Sequence, residues 1–288
     1  MRSIRHPGPP ASERSSVAPC GAQALQLELK AGESVNRAVT RAFAEAGFLG
    51  GYADLEEVQL APLRYVIPAP APDEKHAAWY SATFAPEGMA TIEAAGLVAG
   101  MRDGEPFVHC HGIWRLADGA RHGGHLLPHD AILAADTTVA AWGIAGAQFV
   151  AIDDAETNFK LFSARPCAPA PPAAMPRALA CTLRPNVDIV TTIEAICDRY
   201  GFGAAQVGGV GSLVGVDFTD GRHIASYATE ILITAGRFQA NDDAAHCTLD
   251  IALVDLDGNL HEGRLERGRN PVCVTFELLI RETASASR

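Results

Sequence analysis

Apolar and polar positions alternate first with the period of a strand and then with that of a helix near the start of the chain. Residues 22–30 place three leucines at every second position, which is typical of a half-buried strand. After Ser34 the apolar residues follow one helical face up to Gly47, a residue suited to a helix C-terminus. The pattern therefore predicts a strand followed by a helix.

The same pattern recurs in the second half of the chain. Residues 29–48 align without a gap to residues 183–202 at a constant offset of 154, and residues 113–126 align to residues 252–265 at an offset of 139. The offsets differ by 15, which predicts an insertion in the first copy near the proline-rich segment 68–76. A repeat this long indicates two similar domains in tandem.

Other segments complete the predicted outline of the second copy. Strands are predicted at 230–238, 245–255 and 271–282 because these segments are apolar and end at turn residues. A glycine-rich turn that leads into a strand is expected at 208–218. Five prolines in residues 164–177 predict an extended linker between the copies.

We divide the chain into four predicted parts, and the first of them carries no secretory signal because it lacks an apolar run. The parts are a disordered tail at 1–21, a first domain at 22–163, a linker at 164–178 and a second domain at 179–288. No segment approaches the 18 apolar residues of a membrane span. Seven scattered cysteines without a CxxC pair favour reduced thiols, so we expect a soluble cytoplasmic protein.

The formal net charge of −11 bears on the choice of partner. Residues 177–288 carry −5 and the remainder −6, so neither half is a basic module. Such a composition does not favour attraction to a nucleic-acid backbone.

Half of the ten histidines lie within residues 109–129. Neutral imidazole is the commonest protein ligand for zinc and related metals, so this density suggests a metal site. Strands are predicted at 107–116 and 121–127, joined by a turn at Asp118-Gly119. Side chains alternate along a strand, which puts His109 and His111 on one face.

The position of His125 depends on the strand register, which the sequence leaves open. A two-residue loop at Asp118-Gly119 pairs residue 111 with residue 126 and turns His125 to the opposite face. A three-residue loop, or a bulge at Gly123-Gly124, brings His125 to the same side as the other two imidazoles.

We hypothesise that His109, His111 and His125 bind a divalent metal, with zinc the first candidate. Three nitrogen ligands leave one position of a tetrahedral zinc free for water or a ligand. His122, His129 and Cys110 are not expected to be ligands. Glu105, Asp118 and Asp130 lie near the cluster in sequence, but none of them is assigned as a general base.

The second copy serves as an internal control. At the offset of 139, the positions of the three histidines are taken by Thr248, Asp250 and Arg264. We therefore expect the second domain to share the fold and to bind no metal.

These motifs resemble the PPC domain, also called DUF296, in the bacterial type without an AT-hook. The residues concerned are the HxH at 109–111, the GGHL at 123–126 and the GxxGSL at 208–213, the last found only in the second copy. The resemblance covers most of residues 22–163 and 179–283. It implies an α/β (α+β) domain with a mainly antiparallel sheet flanked by helices, assembly into a trimer, and a metal or small-ligand site at the matching histidines.

The leading hypothesis is thus an oligomeric, metal-binding protein of two PPC-like domains, whose open coordination position serves a small ligand, an anion among the candidates, or a hydrolytic reaction. Whether it is an enzyme is left open. The rival is a DNA-binding or regulatory scaffold, and a structural interaction module is a third reading. Residues 267–271 come close to an AT-hook core, but the alignment puts them in a turn between strands, which is a poor host for a groove-binding arm.

Overall fold

The structure, a computed structural model, describes residues 2–240 and 245–283. In the first half, helix α1 is Val35–Glu45. The strands of this half are β1 Ser15–Leu29, β2 Gly51–Leu55, β3 Val58–Leu60, β4 Tyr65–Val66, β5 Pro68–Ala69, β6 Trp79–Tyr80, β7 Ala90–Arg102, β8 Glu105–Arg115, β9 Arg121–Leu126, β10 Thr137–Ala145, β11 Ala147–Asp153 and β12 Lys160–Pro166.

In the second half, helix α2 is Ile189–Arg199. The strands of this half are β13 Arg177–Leu183, β14 Ala204–Leu213, β15 Val216–Asp217, β16 His223–Ile224, β17 Glu230–Ala240, β18 Ala245–Val254, β19 Leu260–Arg264 and β20 Val272–Glu282. The small strands β4 to β6 lie between β3 and β7, in the region where the sequence predicted an insertion.

The two helices begin and end at equivalent positions. The Ser34 hydroxyl accepts a hydrogen bond from the backbone N–H of Arg37 at the start of α1, and the Asp188 carboxylate does the same for Thr191 at the start of α2. Gly47 follows α1 with a φ of 83°, a left-handed conformation that suits glycine. The predicted helices are therefore confirmed. None of the helices described here is long and apolar enough to span a membrane.

Both copies arrange their strands in the same order. The first copy has β1-β10-β2-β7-β8-β9 and the second has β13-β20-β14-β17-β18-β19. Strands β1 and β13 pair in antiparallel fashion and join the copies into one sheet. The predicted fold class, α/β (α+β) with a mainly antiparallel sheet, is confirmed, with one helix per copy among the described residues rather than several.

Apolar side chains form a layer on each side of every copy. Phe43 of helix α1 and Leu27 of β1 belong to one cluster, and Ile193 of α2 and Phe276 of β20 belong to another. A third cluster lies between the copies and contains residues of both, including Tyr52, Val98, Phe149, Val210, Leu232 and Leu279. Because burial of one such large side chain contributes about 1.5 to 3 kcal/mol, this cluster holds the two copies face to face.

The prediction of a disordered tail at 1–21 is wrong for the residues that the structure describes. Strand β1 already begins at Ser15, and the buried ring of His6 donates from Nε2 to the Cys273 carbonyl oxygen at 2.8 Å. Arg14 forms an ion pair of 2.7 Å with Glu156. These contacts hold His6 and Arg14 in a segment whose arginines and prolines suggested disorder; residue 1 lies outside the described part.

The glycine-rich segment 208–213 differs in part from the prediction of a turn that leads into a strand, because all of it lies inside strand β14. A Cβ atom at Gly208 would lie 2.8 Å from the Tyr52 ring, so glycine there allows the close approach of the first copy. The connection between the copies runs from residue 167 to residue 176. The domain limits 22–163 and 179–288 stay a prediction, and residues 284–288 lie outside the described part.

Candidate metal centre

The hairpin of β8 and β9 resolves the open question of strand register. The N–H of Leu116 donates to the carbonyl of Ala120, which closes a three-residue loop, and Gly119 has a φ of 86°. His111 therefore pairs directly with His125, and the pairing continues without a bulge to Arg115. Of the arrangements considered from the sequence, the structure therefore has the three-residue loop. The three imidazoles lie on one face of the hairpin.

The three predicted histidines come together around one point. His111 Nε2 lies 2.9 Å from His109 Nε2 and 3.2 Å from His125 Nδ1. One ring nitrogen from each residue lies within 4.8 Å of the others. His111 is only 2% exposed, whereas His109 and His125 are partly exposed. These separations suit three ligands of one small cation.

Partners on the far side of two rings orient the nitrogens that face inward. His109 Nδ1 lies 2.6 Å from a carboxylate oxygen of Glu277, and His111 Nδ1 lies 3.1 Å from the carbonyl oxygen of Ile231. When each Nδ1–H donates to its partner, Nε2 keeps a free lone pair. Such outer hydrogen bonds accompany nearly all metal-binding histidines, so the residues present fit a divalent metal.

The electrostatic surroundings keep two of the rings neutral. Burial, together with the neighbouring His111, lowers the pKa of His109 to about 3 and lowers the pKa of His125 well below its ordinary value. Burial also acts to lower the pKa of His111, but the Glu230 carboxylate and the Ile231 carbonyl outweigh it and raise that pKa. Neutral imidazole is the form that binds metals.

Two carboxylates of the second copy reach this centre, and the sequence reasoning missed both. Glu230 Oε2 lies 2.8 Å from His111 Nε2, and Glu277 is 1% exposed beside His109. Burial raises the pKa of Glu277 to about 8. The available signal was an acidic residue inside the apolar strand FELLI, where a charge needs a partner.

The other cysteine and histidines of this segment lie apart from the three nitrogens. Cys110 is buried on the opposite face of β8, and burial raises its pKa to about 12. The His129 ring lies 5.8 Å from the Phe107 ring, and the His122 ring lies 6.5 Å from the Tyr65 ring. None of these residues belongs to the described group of three ligand atoms.

A cavity of about 360 Å³ opens onto the histidines and is lined by both copies. Trp79, Tyr80 and Phe159 form an aromatic wall, with the Tyr80 ring 5.1 Å from the His125 ring. Arg102 and Lys160 supply positive charge to the lining. The volume is that of a small-molecule site.

The AT-hook-like segment is a folded turn. Arg267 binds the Glu194 carboxylate at 2.7 Å, and Gly268 has a φ of 76°. Asn270 is fully buried. An arm held in this way is not free to enter a DNA groove.

Comparison with known families finds that residues 172–284 match the profile of the Plants and Prokaryotes Conserved (PCC, or PPC) domain. The second half of the chain is thus similar to the PPC domain, and the first half has the same strand order as the second. The predicted resemblance is confirmed.

The solved structures that match this chain include the following three proteins. A metal-containing protein of Archaeoglobus fulgidus is 18% identical, with a TM-score of 0.38, 56% of this chain covered and 99% of that one. A plant- and prokaryote-conserved protein of Pyrococcus horikoshii is 16% identical, with a TM-score of 0.32 and coverage of 38% and 81%. A candidate DNA-binding protein of Bacteroides thetaiotaomicron is 15% identical, with a TM-score of 0.34 and coverage of 38% and 79%. No curated protein matches the chain.

Proposed function

We propose that this protein binds one divalent metal ion, zinc in the first instance, through His109 Nε2, His111 Nε2 and His125 Nδ1. The observation that carries the proposal is the convergence of these nitrogens within 4.8 Å, with two rings oriented from behind. Zinc bound by three nitrogens supplies a Lewis acid with one free position, suited to a small ligand or to hydrolysis.

The residues of the chain itself fix the ligands and shape the ligand pocket. Glu277 and the Ile231 carbonyl orient two imidazoles, and the aromatic wall around Tyr80 limits access of water to the third. Metal binding thus serves a small-ligand site shared by both copies. Following the family resemblance, we also propose a cytoplasmic protein that assembles as a trimer of chains.

The test is zinc binding by purified protein that has been stripped of metal by a chelator. Calorimetric titration should give one zinc ion per chain. His111→Ala should lower the affinity more than about 100-fold, because even loss of an outer partner costs 10- to 100-fold. Asp250→Ala, the change at the equivalent position of the second copy, is the matched control and should leave both values unchanged. Wild-type protein that takes up no zinc would contradict the proposal.

The rival function, a DNA-binding or regulatory scaffold, has less support. The net charge of −11 and the ion pair between Arg267 and Glu194 both oppose it. Duplex DNA binding that weakens with added salt in a mobility-shift titration would revive it.

A further inference from the structure

Glu230 lies directly beside His111, one of the proposed metal ligands. It opens strand β17, and the next residue, Ile231, buries its side chain in the core of the second copy. Side chains alternate along a strand, so the Glu230 carboxylate is on the opposite face, toward the first copy. The carbonyl of Ile231 binds His111 Nδ1, which fixes Glu230 beside the same histidine.

The carboxylate of Glu230 is nearly enclosed. Its side chain is 10% exposed, and within the described residues its ion-pair partner is His111 Nε2, at 2.8 Å. Once His111 Nε2 gives its lone pair to a metal, that nitrogen has no proton to donate. The buried carboxylate then requires another hydrogen-bond donor, since an unpaired buried charge is strongly unfavourable.

The free coordination position is where such a donor would be. Glu230 lines the same cavity as the three histidines, yet it does not belong to the described group whose ligand atoms lie within 4.8 Å of one another. Its carboxylate therefore lies beside the three ligand nitrogens and is not counted among the ligands. Glu277 adds a second carboxylate to the same wall.

We propose that Glu230 selects the ligand at the fourth metal position, accepting a hydrogen bond from it. The site then takes ligands with an O–H or N–H at or next to the metal-binding atom, such as water, an alcohol or a hydroxamic acid. It disfavours simple anions, although the sequence analysis named an anion among the candidate ligands. A simple anion has no proton to donate to Glu230 and is repelled by its negative charge. This inference rests on the proposed metal binding.

The test replaces zinc with Co²⁺, whose visible absorption bands report on its ligands, and titrates the loaded protein with azide and with acetohydroxamic acid. In Glu230→Gln the affinity for azide should rise at least about 10-fold because a like charge is removed. The affinity for acetohydroxamic acid should fall, which reverses or narrows the preference. Glu282→Gln, at a partly exposed residue of the second copy that pairs with Arg177 and does not line the cavity, is the control and should behave as wild type.

The outcomes separate the two proposals. Wild-type protein without Co²⁺ bands would refute metal binding itself. An azide-to-hydroxamate ratio in Glu230→Gln within twofold of wild type, with Co²⁺ bound, would overturn only the role of Glu230. Loss of Co²⁺ from that variant would also overturn it, since Glu230 would then be a ligand. Glu230→Ala, which removes the charge without adding an amide, should reproduce the gain in azide affinity if the glutamine variant fails to fold.

Discussion

The hairpins of the two copies have the same backbone pairing but carry different side chains. In the first copy His111 faces His125 across strands β8 and β9. At the equivalent positions of the second copy Asp250 faces Arg264, and the two form a double hydrogen bond with distances of 2.9 Å. Register therefore fixes which positions meet, and the side chains decide whether a buried histidine cluster or a surface ion pair results.

The carboxylates show the reverse distribution. Glu230 and Glu277 belong to the second copy, and the positions equivalent to them in the first copy hold Thr91 and Thr138. Each copy thus supplies what the other lacks. Among the residues that the structure describes, the comparison indicates one composite cluster of histidines and carboxylates in place of two identical ones.

The largest effect is expected when the three histidines are introduced at the equivalent positions of the second copy. The triple change Thr248→His, Asp250→His and Arg264→His should create a second zinc site in the second copy. We expect its affinity to be about 10- to 100-fold lower than that of the natural site, because Thr138 stands where Glu277 would orient a ring. Calorimetry would count the ions, and two sites of equal affinity would show that the carboxylates contribute nothing.

A second change isolates the contribution of the second copy to the natural site. Glu277→Gln should weaken zinc binding by about 10- to 100-fold, because the amide orients His109 less strongly than a carboxylate does. Competition with a coloured chelator measures this loss. Glu282→Gln on the same strand β20 is the matched control, and equal affinities of the two variants would contradict the role of Glu277.

The smallest effect concerns the hairpin turns. Asp255 accepts hydrogen bonds from the backbone of Asp257 and Asn259 and from the His261 ring, whereas the first copy has Leu116 at this position. Burial acts to raise the pKa of Asp255, but these bonds outweigh it and lower that pKa. The stabilisation is therefore complete above the ordinary aspartate pKa of about 4 and is lost as the pH falls through the lower folded value.

Asp255→Asn should accordingly lower the unfolding free energy at pH 7 by about 1 to 2 kcal/mol. The difference from wild type should shrink as the pH falls below about 4. Urea unfolding at several pH values measures both. Asp257→Asn in the same turn is the control, and a deficit that does not depend on pH would argue against this origin.

The local pattern of apolar and polar residues was sufficient to predict the helices and the hairpin, because both depend on residues that are close in sequence. The repeat at an offset of 154 located α2 from α1 to the residue. The register of His125 stayed open since two loop lengths fit the same glycine. Pairing between Leu116 and Ala120 decided it.

Contacts between distant segments could not be read from the sequence. Glu277 is 168 positions from His109, and no periodicity links them. The N-terminal residues looked disordered by composition, yet Arg14 and His6 are held by partners far along the chain. Such pairings emerge only when the two copies pack face to face.

A crystal structure of the zinc-loaded protein, with anomalous scattering recorded at the zinc edge, tests the composite centre most directly. We predict one peak per chain, about 2.0 to 2.1 Å from His109 Nε2, His111 Nε2 and His125 Nδ1, with Glu277 still bound to His109. A peak in the second hairpin beside Asp250, or no peak among the three histidines, would contradict the account.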